Sequence, residues 1–497
     1  MNVQNPNWAR SGSNGSFAAS GASADCGRDE SKRIRKGIIL ALLLVAQFMA
    51  VLDVTIVNVA SPAVRSDLHT SGSVLQLIVA GYTVAYSTLL ITGARAGDRF
   101  GHARVLAIGV LCFTLMSFIC GMAPNSFFLV LARLLQGASA AFMVPQVMSL
   151  IQRTFEGHGR ARAIGLYGAV IAIGAICGQI VGGLLVGANI LHLVWRPIFL
   201  VNVPIGVALF ALVLGFVPRR GGDSARSFDL IGVVCLMATV ASFVIPLVFG
   251  PGLGWPVWSI VLLVLVVPLA VLSAWHERRA SGRDPILSAE VVGARGFVWL
   301  LLFMVLMQSS YAGSLLAQAL HFEAGLGLSA LHTGLLFITG GVGFALGSLT
   351  WRRFPTWIHT YFMIGGMLIG AAGYVIMAWS LRTATDPASL YLTVNFGLSA
   401  AFGYGFGPIL SMALSHVPLK FAGSASGVLV STLQIGQLLG IAVYGSIYFA
   451  LVHNTSAKES AGAFAHTLYW AALACVVGAL AGLVFIRMIR VKEEARP

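Results

Sequence analysis

Charge is what this sequence has least of. Only 10% of its 497 residues are Asp, Glu, Lys or Arg, against 58% hydrophobic residues. A soluble domain carries about a quarter charged residues, so an ordinary cytosolic enzyme is excluded. A disordered chain is excluded as well, because disorder needs low hydrophobicity and high charge. The six cysteines (Cys26, Cys112, Cys120, Cys177, Cys235 and Cys475) form no CxxC pair and no metal or disulfide spacing. All but Cys26 fall inside apolar runs, where Cys behaves as a small hydrophobe. There is no HExxH and no Walker-type Gly-rich loop, so neither a metal site nor ATP hydrolysis is supported. Acidic residues are the scarcest class of charge: 17 Asp and Glu stand against 31 Lys and Arg, for a net charge of +14. That balance suggests nucleic acid until the positions are read. The basic residues sit between apolar runs and form no stripe, so no nucleic-acid partner is expected.

What is abundant is uninterrupted apolar sequence, with a mean hydropathy of +0.87. A bilayer core about 30 Å thick needs roughly 20 such residues as helix. Runs of that length cover 37–60, 74–94, 104–122, 126–150, 163–187 and 197–217, then 229–250 and 257–275. They continue over 297–320, 330–350, 358–380, 388–416, 422–450 and 466–489. The solvent of this chain is the lipid bilayer, and the fold class is an all-α integral membrane protein. Pro246, Pro251 and Pro256 interrupt or separate the seventh and eighth runs, so a re-entrant pair and a smaller helix count is the alternative.

Five segments follow. Residues 1–36 are Ser-, Gly- and Asn-rich, end in Lys32-Arg33-Ile34-Arg35-Lys36, and are expected to be a disordered cytoplasmic tail. A cleaved signal peptide is not expected, because the next apolar run is too long and lacks a small-residue cleavage site. Residues 37–217 form an N-terminal six-helix bundle, 218–296 two extra helices and an inner linker, 297–490 a C-terminal six-helix bundle, and 491–497 a second cytoplasmic tail. A weak repeat supports the halves: Gly93 to Arg104 follows the second span, and Gly347-Ser348-Leu349-Thr350-Trp351-Arg352-Arg353 follows the tenth. Duplicated halves with a site between them are a common transporter plan.

With the N-terminus inside, the outer loops hold only Arg65, Arg196, Arg382 and Lys458, and Arg133 lies within a span; every other Lys and Arg is inside. By the positive-inside rule both termini are cytoplasmic; the expected location is the plasma membrane (the inner membrane of a bacterium).

Charges inside spans are functional candidates by default. Two stand out. Asp53 lies about 16 residues, or about 24 Å, from the inner end of the first helix, and Arg133 about 10 Å below the outer end of the fourth, at matching depth. Burial disfavours the charged form of a carboxylate and a nearby cation favours it. A movement that alters either would switch proton affinity, which makes the pair a proton site. A static ion pair that fixes helix register is the other reading. Asn58, Gln136, Gln308, Asn395, Gln434 and Gln437 add uncharged polar groups at membrane depth, suited to a substrate cavity or to helix packing. Glu323 is either a solvated loop residue or a contact for cationic substrates. Phe402, Tyr404 and Phe406 read as packing aromatics.

The segment Leu52-Asp53-Val54-Thr55-Ile56-Val57-Asn58-Val59-Ala60-Ser61-Pro62 resembles the first-helix signature of the fourteen-spanner drug:proton antiporters of the major facilitator superfamily. Ala94-Arg95-Ala96-Gly97-Asp98-Arg99-Phe100-Gly101-His102-Ala103-Arg104 is similar to the superfamily's second-to-third loop motif, with Ala94 and Ala96 in place of the usual Gly and Leu. Leu129-Val130-Leu131-Ala132-Arg133-Leu134-Leu135-Gln136-Gly137 resembles its fourth-helix motif. Gly174-Ala175-Ile176-Cys177-Gly178-Gln179-Ile180-Val181-Gly182-Gly183 resembles its fifth-helix antiporter motif, with Gln179 where the family has Pro. The stretch Trp195-Arg196-Pro197-Ile198-Phe199-Leu200-Val201-Asn202-Val203-Pro204 is also similar to the group.

The resemblance implies a major-facilitator-type fold of two six-helix bundles plus two extra central helices. It implies that Asp98, Arg99, Gly101 and Arg104 form a cytoplasmic gate. Gly174, Gly178, Gln179, Gly182 and Gly183 would form the seam that governs alternation, and small residues at that spacing also let helices approach closely. The implied function is proton-coupled export of small amphipathic compounds (drugs, toxic metabolites or natural products) by alternating access. No cofactor is needed beyond the proton gradient. Partners are the bilayer, the substrate and protons, with a periplasmic adaptor left open. Uptake by proton symport and a transport-inactive membrane sensor are the alternatives.

Overall fold

The computed structural model describes residues 15–188, 192–219, 221, 230–250, 253–279, 297–381, 389–415, 422–452 and 456–494. Helices dominate because a backbone in lipid must satisfy its hydrogen bonds within its own segment. The N-terminal half holds α1 (Gly15–Asp67), α2 (Gly72–Phe100), α3 (His102–Gly121), α4 (Ser126–Thr154), α5 (Gly157–Ala188) and α6 (Pro197–Phe216), the last broken by a turn at Val201. Next come α7 (Leu230–Phe249) and α8 (Val257–Arg279). The C-terminal half holds α9 (Phe297–Ala319), α10 (Ala330–Thr350), α11 (Thr356–Ser380), α12 (Ser389–Ser415), α13 (Ala422–Leu451) and α14 (Ala457–Glu494). Among the described residues, 13 helices are long and apolar enough to cross a membrane. To these α12 adds 27 residues richer in Gly, Ser and Tyr.

Short polar side chains start several of these helices. Ser71 accepts from the Val74 amide, Asn125 from Phe128 and Ser329 from His332, each meeting a donor that the first turn would otherwise leave open.

The packing repeats from half to half. In the first, α2 packs on α4, α1 on α5, α3 on α4 and α3 on α6; in the second, α10 packs on α12, α9 on α13, α11 on α12 and α11 on α14. The halves meet through α5 against α10 and, in the mirrored arrangement, α13 against α2. The repeat extends to sequence register. Phe48-Met49-Ala50-Val51-Leu52-Asp53 in α1 runs parallel to Phe303-Met304-Val305-Leu306-Met307-Gln308 in α9, so Gln308 stands where the first half has Asp53. Pro145 and Pro408 lie inside the equivalent helices α4 and α12.

The extra helices α7 and α8 pack on each other, and α7 also leans on α2 and α13 beside the seam between the halves. Only 6% of the most apolar window of α8 is buried, so apart from its contact with α7 its apolar surface faces outward. Both form ordinary helices despite Pro246 and Pro268.

From Gly15 onward the chain is helical and continuous with the first span. Extending an existing helix avoids the nucleation cost, and the Ala, Glu, Lys and Arg in this segment are good helix formers. Residues 1–14, most of the linker between α8 and α9, and 495–497 lie outside the described residues.

The glycine seam of α5 has a definite partner. Gly174, Gly178 and Gly182 are buried against α1, the helix that carries Asp53. A Cβ on Gly174 would lie 3.2 Å from Val51 Cβ, and one on Gly182 3.0 Å from Ile56 Cγ1. At Gly178 it would strike the Thr55 hydroxyl and lie 2.9 Å from the Leu52 carbonyl oxygen. Gly178→Val is therefore expected to cost about 1–3 kcal/mol through overpacking. The check is the thermal unfolding midpoint, with Gly187→Val as control, since nothing lies within 4 Å of a Cβ at Gly187. Equal midpoints for the two variants would sink the close-packed seam.

Candidate functional site

Asp53 and Arg133 meet. Arg133 Nη1 donates to Asp53 Oδ2 at 2.5 Å, with both side chains enclosed (1% and 0% exposed). Each has further partners. Asp53 Oδ1 accepts from Gln136 Nε2 at 2.8 Å and from Asn202 Nδ2 at 3.1 Å. Arg133 Nη1 also donates to Gln136 Oε1 at 2.7 Å, and Nε donates to the Ile78 carbonyl at 3.2 Å. The guanidinium lies over the rings of Tyr82 and Phe199, with Cζ 4.7 and 5.6 Å from their centroids. Gln136 Nε2 reaches Ser117 Oγ at 2.7 Å, and Cys120 Sγ donates to Gln136 Oε1 at 3.6 Å.

The site therefore gathers side chains from α1, α2, α3, α4 and α6. Residues 133 and 136 are one helical turn apart on α4 and present the guanidinium and the amide to the same carboxylate. A buried carboxylate needs paired charge and hydrogen bonds to be tolerated, and here a cation and two amides supply them. Asp53 is on one helix and its compensating groups are on others. A relative movement of α1 against α4 and α6 would strip the carboxylate of its partners.

The loop between α2 and α3 turns at Gly101, whose φ of 94° suits glycine and would strain a side-chain-bearing residue. Asp98 is buried there, 3.4 Å from His102 Nε2 and 3.8 Å from Arg153 Nη2 of α4. His102 Nδ1 donates to Gln146 Oε1 at 2.7 Å, and Gln146 Nε2 donates to the Gly93 carbonyl at 2.7 Å. Gly97 is packed so closely on Gln146 and His102 that a Cβ would collide with both. Arg99 lies with its guanidinium over Phe100 at 5.4 Å, and Arg104 is exposed. These contacts tie the loop to α4 of its own half. At the same end, contacts between the halves come from Ser348 Oγ, which donates to the Gly165 carbonyl at 2.9 Å, and from Arg352. The Arg352 guanidinium donates to both the carbonyl oxygen and Nδ1 of His158. The sequence marked the Arg352 loop as the repeat of 93–104, but nothing in it pointed to His158.

The expected cavity residues divide. Gln136 belongs to the Asp53 network. Asn395 is buried and donates to Thr339 Oγ1 at 3.3 Å. Gln308, Gln434 and Gln437 are half-buried on the facing helices α9 and α13, and Asn58 is exposed on α1. Gln179 points across the seam toward Gly334 of α10, and Gly183 is half-buried beside it. Phe402 and Phe406 pack in the core, while Glu323 is exposed. Sequence reasoning missed Asn202, Ser117, Tyr82 and Phe199 in the ion-pair network. Asn202 was within a quoted motif, and that was its only signal.

The chain matches the family described as Major Facilitator Superfamily over residues 43–441. It belongs to that superfamily. A probable actinorhodin transporter of Streptomyces coelicolor is 33% identical over 84% of this chain and 73% of its own length. The puromycin resistance protein pur8 of Streptomyces alboniger is 35% identical over 89% and 88%. The multidrug resistance protein Stp of Mycobacterium tuberculosis is 31% identical over 82% and 75%. Among solved structures, the human organic anion transporter MFSD10 (TETRAN) matches with a TM-score of 0.61 over 90% of this chain and 99% of that one, at 13% identity, which speaks to fold alone. Membership of the superfamily makes this protein a multi-pass membrane transporter rather than an enzyme.

Proposed function

We propose that this transporter exports small amphipathic compounds in exchange for protons, with Asp53 as the group that carries the proton. The observation that supports this most is the Asp53 site. A carboxylate buried in a membrane helix is balanced wholly by groups on neighbouring helices. All of these groups lie in the N-terminal half, so a shift of α1 against α4 and α6 within that half would take the balance away. The names of the relatives, with actinorhodin, puromycin and multidrug resistance among them, support a small-molecule cargo and the export direction.

In this reading the face rich in Lys and Arg, which carries both termini, is cytoplasmic, and the membrane is the plasma membrane. The Ser348–Gly165 and Arg352–His158 contacts close that face, with the Asp98 loop tied to α4 beside them. The reading requires only the bilayer, the substrate and the proton gradient, with no cofactor, and an adaptor protein is not part of it. One charge crossing 100 mV releases about 2.3 kcal/mol, which sustains roughly a 45-fold concentration ratio at about 1.4 kcal/mol per tenfold.

Purified protein in liposomes with an imposed pH gradient is expected to move a fluorescent amphipathic dye uphill, opposite to the proton flow. A protonophore should abolish that movement. Dye flux that ignores both gradient and protonophore would overturn the coupling. Dye movement in the same direction as the protons would make the protein a symporter.

A further inference from the structure

The end of α9 far from the basic face does not finish as an ordinary helix. Leu320–Gly325 form a π-helical turn, a rare conformation that often marks functional positions within helices. His321 lies in this turn with its ring fully buried, stacked on Phe464 of α14 at 4.9 Å and 11°. Its Nδ1 is 2.8 Å from Ser460 Oγ, which is 2.6 Å from the Tyr448 hydroxyl of α13. Gly325 lets Ser460 come so close, since a Cβ there would collide with its hydroxyl. The other ring nitrogen, Nε2, is buried and has no hydrogen-bond partner among the described residues.

Ionisable groups on the surrounding elements are Glu323 on the turn itself, His332 on α10, Lys458, Glu459 and His466 on α14, Tyr391 on α12 and Tyr448 on α13. Glu323, His332, Lys458 and His466 are exposed and Glu459 is half-exposed, so their charges are screened by water and salt. Tyr391 stands edge-on to Phe322, and Tyr448 connects to His321 through Ser460.

We infer that His321 is a second proton-binding group of this transporter. With the proton of the neutral ring on Nδ1 and donated to Ser460, Nε2 carries a lone pair. When the far ends of α9, α13 and α14 separate, that lone pair takes a proton from water on the far face. The proton returns to the same water before the ends close. A ligand that binds one conformation better shifts the population toward it, so acid on the far face favours opening there. The equivalent of Asp53 in this half is Gln308, which cannot ionise. His321 thereby gives the second half a titratable group of its own. The inference rests on the proton-coupled reading above for its purpose, but protonation of His321 does not depend on Asp53.

The test is a distance measurement at equal pH on both sides, so that no gradient drives transport. Spin labels replace Ser329 and Lys458 in a background without the native cysteines. Double electron–electron resonance then reads the open fraction in nanodiscs. From about pH 8 to about pH 5.5, across the ordinary imidazole range, the open fraction should rise about threefold or more in the parent. It should stay flat in His321→Gln and still rise in Asp53→Asn. Retained dye binding shows that each variant is folded, and Ser460→Ala, expected to shift the midpoint, serves if His321→Gln does not fold. A response that survives His321→Gln but vanishes in Asp53→Asn assigns it to Asp53 and overturns the inference. No response in the parent also overturns it, while leaving the Asp53 reading to its own flux experiment.

Discussion

Asp53→Asn should reduce uphill dye movement to the level of empty liposomes, while dye binding and exchange of dye for dye persist. The substitution preserves shape but removes the only ionisable oxygen pair of the site. It also disturbs the hydrogen bonds in a defined way. Oδ2 faces Arg133 Nη1, and Oδ1 faces the amide nitrogens of Gln136 and Asn202. All three are donors, so whichever way the new amide turns, its own NH2 meets a donor. An unmet buried group of this kind costs about 1–3 kcal/mol, so a lower unfolding midpoint is expected beside the loss of coupling. The two effects separate experimentally. Exchange needs folding and alternation but no net proton movement, whereas accumulation needs the proton. A variant that still accumulates dye would show that Asp53–Arg133 is a static pair fixing helix register.

Much of this site was legible because the sequence is so poor in charge. With few ionisable groups at membrane depth, Asp53 and Arg133 identified themselves, and helix rise alone placed them at the same level. Their contact depended on α1 and α4 being neighbours, which the linear sequence does not state. The polar residues were harder. Gln136 looked like any other uncharged group in a span, suited to a cavity or to packing, yet its place one turn from Arg133 aims it at the same carboxylate. Asn202 lies beyond a connection whose path no periodicity reveals, and Ser117 on α3 carries no signal of its own.

The glycine spacing of α5 announced a close helix contact, but only packing shows that the partner is α1, so that the seam bears directly on the helix holding Asp53. Links between the halves were the least legible. Arg352 and His158 are separated by 194 positions and joined only by the tertiary arrangement. The π-helical turn at His321 leaves no periodic signature.

Arg133→Ala is the substitution expected to harm folding most. It leaves the Asp53 carboxylate buried without its counter-ion, and removing one partner of a buried pair costs about 3–5 kcal/mol. It also takes the donor from the Ile78 carbonyl and from Gln136 Oε1, and uncovers the faces of Tyr82 and Phe199. Arg133→Lys should be intermediate: the charge remains, but a single ammonium lacks the planar fork that serves Ile78, Asp53 and Gln136 together. The decisive comparison is the double variant Arg133→Ala with Asp53→Asn. If the cost comes chiefly from the orphaned charge, neutralising Asp53 should recover part of it. The double variant then unfolds at a higher temperature than Arg133→Ala alone, and the excess measures the coupling between the two positions. If the double variant is no more stable, the loss is one of packing around the guanidinium. Arg133 would then matter as a volume between Tyr82 and Phe199, and the charge on Asp53 would have to be held by Gln136 and Asn202.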